Sequence, residues 1–224
     1  MGGKNPLYQA FDGGSMSSGM VILTVVAVLI YFGVVQRVLD RMYLTDRAAL
    51  LLVALMFLGT LLPNITVGRV SFSLGGAVIP VGVCVFLLVK ADTAREVWRT
   101  IIGSILTAAA VYGLSVFLPP EAEQLPVDPN LLYAQAAGVL AWLLGRSRRG
   151  AFVCGVLGVL LADIATAVVN WSRGVDQQLV LGGAGIADAV VIAGVLAVLL
   201  AELVGEIVER IARRRTAAKE GNRS

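Results

Sequence analysis

Seven apolar runs follow one another along this chain with only short polar stretches between them, at residues 20–36, 48–65, 74–89, 97–118, 131–145, 150–169 and 179–205. A helix needs roughly 20 predominantly apolar residues to cross a hydrocarbon core, and most of these runs approach that length. The rest of the composition agrees: of 224 residues 58% are apolar and only 15% charged, with a mean hydropathy of +0.85. The expected fold is an all-α integral membrane protein of about seven transmembrane helices.

Charge placement gives an orientation, because short cytoplasmic loops collect Lys and Arg. Arg37, Arg41 and Arg47 follow the first run, Lys90, Arg95 and Arg99 the third, and Arg146, Arg148 and Arg149 the fifth. Arg210, Arg213, Arg214, Arg215, Lys219 and Arg223 close the chain. That places 15 of the 18 basic residues on one side and leaves Lys4, Arg69 and Arg173 on the other. An odd number of spans with the N-terminus outside and the C-terminus in the cytoplasm satisfies every loop. The loop from Pro119 to Pro129 carries Glu121, Glu123 and Asp128 with no basic residue, as an outer loop should. The expected organisation is an extracytoplasmic segment (1–19), a polytopic membrane domain (20–205) and a basic cytoplasmic tail (206–224), in a prokaryotic cell membrane. The net charge of +3 then belongs to a rim that meets lipid headgroups, and no nucleic-acid partner is expected. The first run lacks a small-residue cleavage signature and reads as an uncleaved anchor. Pro6 stands where a myristoylation signal wants Ser or Thr, so no lipid anchor is implied.

What the chain lacks limits its chemistry. It has no histidine, which removes Ser-His and Cys-His pairs, the HExxH zinc motif and imidazole ligation. Its lysines, Lys4, Lys90 and Lys219, all lie outside the apolar runs, against a Ser-Lys dyad or an intramembrane Schiff base. Cys84 and Cys154 stand singly in apolar runs and read as small buried hydrophobes. Neither a metal site nor a cofactor is expected.

An internal similarity points to a site. Leu58-Gly59-Thr60-Leu61-Leu62-Pro63-Asn64-Ile65 and Leu157-Gly158-Val159-Leu160-Leu161-Ala162-Asp163-Ile164 share five of eight residues, aligning Asn64 with Asp163. Downstream, Ser71-Phe72-Ser73-Leu74-Gly75-Gly76-Ala77 matches Gln178-Leu179-Val180-Leu181-Gly182-Gly183-Ala184. The repeated unit reads as helix, short strand, Leu-Gly-Gly-Ala, helix, over about 48–89 and 150–205. Four crossings separate the copies, so they are expected to be parallel repeats. The glycine pairs suit either close helix packing or an irregular turn from strand into helix, which at membrane depth must be buried in protein or line a wet cavity.

Asp163 and Asp188 lie in consecutive apolar runs, and a carboxylate in hydrocarbon is costly. Counted at 1.5 Å per residue, both fall roughly 10 Å below the outer face on antiparallel neighbours, with Asn64 expected in the same layer. Two close carboxylates cannot both ionise easily and tend to share a proton. Three uses fit: aspartyl hydrolysis, proton or cation transport, or a structural role in a non-catalytic scaffold.

The run Leu181-Gly182-Gly183-Ala184-Gly185-Ile186-Ala187-Asp188, with Asp163 on the preceding span, resembles the GxGD intramembrane aspartyl proteases, the signal peptide peptidase and presenilin group. That resemblance implies a hydrolase with its catalytic aspartates on consecutive helices. It covers residues 150–205 only: Ala187 stands where the second Gly belongs, Ala162 where a Tyr precedes the first Asp, and there is no Pro-Ala-Leu motif. Pro63-Asn64-Ile65 and Leu74-Gly75-Gly76-Ala77-Val78-Ile79-Pro80 resemble, over most of the chain, an uncharacterised family of prokaryotic multi-pass membrane proteins known as a domain of unknown function.

As an enzyme, the chain would use Asp163 and Asp188 as a catalytic dyad. Gly182, Gly183 and Gly185 would shape a groove for a membrane-embedded peptide, lined also by Asn64 and Pro80. As a transporter, it would bind a coupling ion at Asp163, Asn64 and Asp188. Glu202 and Glu206, one helical turn apart, read as a solvated or Arg-paired face.

Overall fold

The structure is a computed structural model and describes residues 46–117 and 129–221. The expected first span at 20–36, the segment before it and residues 118–128 of the outer loop lie outside the described residues. In chain order come α1 (Asp46–Leu61), β1 (Ile65–Val67), β2 (Val70–Phe72), a π-helical turn (Leu74–Val78) and α2 (Ile79–Val89). There follow α3 (Ala94–Phe117), α4 (Pro129–Gly145), α5 (Arg148–Ser172), β3 (Leu179–Leu181), a 3-10 turn (Gly185–Ala187) and α6 (Ala189–Gly221). Three helices are long and apolar enough to cross a membrane: α3, α5 and the Ala189–Val208 part of α6. Leu74–Val89 and Asn130–Gly145 are shorter apolar helical segments. The molecule is thus a helical, membrane-embedded protein. The basic segment expected as a tail after residue 205 continues α6 as helix to Gly221.

Helix starts follow local chemistry. Thr93 Oγ1 accepts the Glu96 N–H ahead of α3 at 3.2 Å, and Ser147 Oγ accepts the Gly150 N–H ahead of α5 at 3.0 Å. Each side chain satisfies one of the donors that a helix leaves open at its first turn. Pro80 lies in the first turn of α2, where the π-helical turn passes into α-helix.

α3, α4, α5 and α6 pack on one another. Val153, Val156 and Val190 are fully buried between them with Ala134, Ala137 and Ala193. Small residues let the backbones close up: a Cβ on Gly155 would lie 2.8 Å from the Ala193 carbonyl oxygen. Cys84 and Cys154 are buried free thiols, as their isolation in the sequence suggested. Leu51, Leu55, Leu58 and Leu62 in and just after α1, and Trp98, Ile102 and Ile105 on α3, are exposed. Such outward apolar faces suit lipid.

The basic loops meet at one end of the bundle. Arg149 donates to the Lys90 carbonyl at 3.0 Å and pairs with Asp92, and Arg99 donates to the Gly145 carbonyl at 3.0 Å. Arg148 pairs with Glu202 across α5 and α6, both side chains largely buried, which fulfils the Arg-paired reading of Glu202. Removing one member leaves the other charge buried without its partner, at a cost of about 3–5 kcal/mol in a fully dry site and less where water reaches. Glu202→Ala is therefore expected to destabilise the protein by about 2 kcal/mol, seen as a lower thermal midpoint in detergent.

At the other end the strands form one sheet in the order β1-β2-β3. β1 and β2 are an antiparallel hairpin. β3 joins β2 in parallel, with Val70, Ser71 and Phe72 opposite Leu179, Val180 and Leu181. A strand therefore leads into each Gly-Gly pair, β2 through Ser73 and Leu74 and β3 directly. The two copies differ in what comes next, a π-helical turn in the first and a 3-10 turn in the second.

Candidate functional site

The seventh apolar run, expected as a short strand that passes through Leu-Gly-Gly-Ala into a helix already two turns long at Asp188, is strand and turns for its first ten residues. Gly182 and Gly185 hold φ of 68° and 60°, left-handed values that suit glycine and end a strand or a helix. α6 consequently begins only at Ala189, and Asp188 is its N-cap rather than a residue two turns inside it. The Asp188 carbonyl accepts from Val191 and Ile192 at 3.1 and 3.0 Å. Its carboxylate accepts the Val190 N–H at 3.0 Å and, through the other oxygen, the Ala184 N–H at 3.2 Å. Two of roughly four acceptor positions on that carboxylate are thus used.

Asp163 projects from α5. Among the described residues nothing donates to it and no cation pairs with it. Both aspartates are half-buried and line one cleft of about 410 Å³, with Asn130, Tyr133, Thr166, Gln177 and Gln178. Arg149, at the basic end of α5, precedes Asp163 by fourteen residues, so the cleft lies roughly 20 Å along the helix from the basic rim.

β3 forms one wall of the cleft. The Leu179 N–H donates to the Arg69 carbonyl at 2.9 Å, and the Leu181 carbonyl accepts from Ser73 at 3.0 Å. Residues alternate along a strand, so the N–H and C=O of Val180 face away from β2. No described residue bonds them, and Val180 is exposed and lines the cleft. The segment leading into this strand is braced by the Trp171 indole, which donates to the Gln177 carbonyl at 2.9 Å, and by Asn170, which donates to the Gln177 side chain at 3.1 Å.

The remaining sequence-derived residues fall elsewhere. Asn64 is exposed in the link between α1 and β1, because α1 stops at Leu61, and it is not among the residues lining the cleft. Pro80 is buried at the start of α2, away from the cleft lining. Gly182 and Gly185 pack against the first copy behind the Asp188 turn, and Gly183 is exposed beside Val180. Asn130, Gln177 and Gln178 were passed over in the sequence. Their signal was only that they are polar residues flanking apolar runs. Among the described residues no group of three or more Cys, Asp or Glu side chains could hold a metal ion.

A family described as a protein of unknown function, DUF1614, matches residues 35–200. The chain belongs to the DUF1614 family. This agrees with the resemblance carried by Pro63-Asn64-Ile65 and Leu74 to Pro80, and the match takes in the whole cleft and the sheet. No curated protein and no solved structure matches the chain. Membership of DUF1614 brings no activity with it, so the chemistry has to be argued from the cleft.

Proposed function

We propose that this DUF1614 protein is an intramembrane aspartyl hydrolase that cleaves membrane-embedded peptides, with Asp163 and Asp188 as its catalytic dyad. The observation that carries this reading is that both carboxylates and the unpaired edge of β3 open into one polar cleft. A transmembrane peptide is helical, its amides shielded in the hydrogen bonds of its own helix. A free N–H and C=O at Val180 can hold a locally unwound segment as an extended strand.

The two aspartates differ in a way that suits divided labour. Asp188 accepts one backbone N–H on each oxygen, which fits an acceptor-only carboxylate that takes a proton from water. Asp163 is unheld, and protonated it can donate to the scissile carbonyl. Water adds to the carbonyl carbon, its proton passes to Asp188, and the carbonyl oxygen takes the proton of Asp163. Collapse of the tetrahedral species breaks the C–N bond: Asp188 gives its proton to the leaving amine, and Asp163 takes one back from a hydroxyl of the diol as the new carboxyl group forms.

Seven spans, an outside N-terminus and parallel repeats complete the proposed architecture. The parallel pairing of β2 with β3 supports the repeat relation, and the gathering of Arg99, Arg148 and Arg149 at the end opposite the cleft supports a cytoplasmic basic rim. Cation-coupled transport would use the same carboxylates, but Asn64, the third ligand that reading called for, is not among the residues lining the cleft.

The test is cleavage in proteoliposomes of a panel of labelled single-span peptides. Wild type should release fragments cut within the span, and the Asp163→Asn, Asp188→Asn double variant should release none. A wild type inert across the panel, combined with a proton or cation flux that the double variant loses, would overturn hydrolysis in favour of transport.

A further inference from the structure

The turn that carries Asp188 packs against the first copy of the repeat as well as against the helix that follows it. A Cβ on Gly76 would strike the Gly182 carbonyl oxygen and lie 2.8 Å from the Gly185 carbonyl oxygen. One on Gly185 would lie 2.5 Å from Thr60 Oγ1 and 2.9 Å from Thr60 Cβ. Thr60 is itself fixed, its hydroxyl donating to the Met56 carbonyl at 2.8 Å, and it also closes on Gly75, whose added Cβ would lie 2.6 Å from Thr60 Oγ1. The last turn of α1, the π-helical turn and residues 182–187 therefore meet backbone to backbone. Asp188 leaves this junction directly: its N–H donates to the Gly185 carbonyl at 3.2 Å and its carboxylate accepts from Ala184.

We propose that Thr60 and Gly76, both in the first copy, are positioning residues that set where Asp188 stands in the cleft. Neither lines the cleft, so neither touches a substrate there. Interiors this closely packed have little slack. A methyl at residue 76 meets carbonyl groups that cannot rotate aside, so the 182–187 turn has to move and take Asp188 with it. Thr60 acts from the opposite side, as the surface against which Gly185 closes. On this arrangement the first copy, whose Asn64 replaces the acid, has become the support for the copy that keeps both. The proposal rests on the dyad reading of Asp163 and Asp188, and its test separates the two.

The full chain carrying Cys84→Ala, Cys154→Ala, Asp163→Cys and Asp188→Cys is reconstituted in lipid and treated with two-headed thiol reagents of graded spacer length. The parent should link, which defines the shortest effective spacer. Gly76→Ala should lower the yield with that spacer at least five-fold and Thr60→Ala at least two-fold. Gly82→Ala and Gly113→Ala, whose added methyl groups meet nothing within 4 Å, should leave it unchanged. In the protein with both aspartates intact, Gly76→Ala should lower kcat for the reporter peptide with KM within two-fold of wild type. If Gly76→Ala cannot be purified folded, Thr60→Ala decides alone. A parent that links with no spacer overturns the dyad reading and this proposal with it; a parent that links and is unaffected by the first-copy substitutions overturns the proposal alone.

Discussion

Asp188→Asn is expected to lower hydrolysis of a membrane-spanning reporter by about 10³-fold, in the range that loss of a positioned acid or base costs, while the protein keeps its fold. The reason for Asn lies in the cap. Asp188 occupies the N-cap of α6, and its oxygens hold the Val190 and Ala184 N–H groups at 3.0 and 3.2 Å. Asn retains one acceptor oxygen, ranks with Asp as an N-cap and cannot take a proton from water. Asp188→Ala removes the cap as well and is expected to destabilise the protein by about 1 kcal/mol beyond the same loss of activity. Asp163→Asn should match Asp188→Asn in activity with no change in thermal midpoint, since no described residue bonds Asp163. Thermal midpoints and initial rates for the three variants check this together. Activity retained by either Asn variant would remove that carboxylate from the chemistry.

Gly182→Ala should be among the most damaging added methyl groups at the described glycines. Gly182 has φ of 68°, and its added Cβ would strike the Gly76 carbonyl carbon and lie 2.5 Å from the Ala77 nitrogen. The left-handed backbone alone costs about 1–2 kcal/mol, and overpacking against an immovable backbone adds typically 1–3 kcal/mol. A loss of about 3 kcal/mol is a large part of the stability of most domains, so Gly182→Ala should show a collapsed melting transition or no folded peak on size exclusion. Two neighbouring cases isolate the terms. Gly174 has φ of 79° but open space around it, so Gly174→Ala should show the backbone cost alone. Gly183 is exposed, and its added Cβ would meet Val180 Cγ1 at 2.7 Å, the end of a side chain. Gly183→Ala should thus change stability by less than about 1 kcal/mol.

Each apolar run among the described residues contains a helix, although the run at 48–65 leaves its helix at Leu61 and gives its last residue to β1, and three of the helices are long and apolar enough to cross a membrane. The run at 74–89 is the π-helical turn plus α2, that at 97–118 is α3, and that at 150–169 lies inside α5. The strand before each Gly-Gly pair was also legible, because a short β-branched or Leu stretch ahead of two glycines interrupts a helical period wherever it falls. Misplacing Asp188 within a helix had one cause. Residues 179–188 are apolar enough to extend a span, and hydropathy does not register that Gly182 and Gly185 turn the chain by a left-handed φ.

Composition, charge placement and glycine spacing thus determined by themselves that this is a membrane-embedded helical chain with a strand–glycine–helix pattern met twice and two aspartates, Asp163 and Asp188, in its last two apolar runs. Those properties depend on each residue and its near neighbours, and the sequence states them directly. Tertiary structure alone decided that β3 pairs with β2 in parallel, that Asp188 caps α6 and that Asn64 does not line the cleft of the two aspartates. It alone brought Asn130, Gln177 and Gln178 to the cleft. These depend on which backbones can approach across a hundred residues of chain, and that is settled by the close fit of Gly76 against Gly182, a contact that no local pattern records.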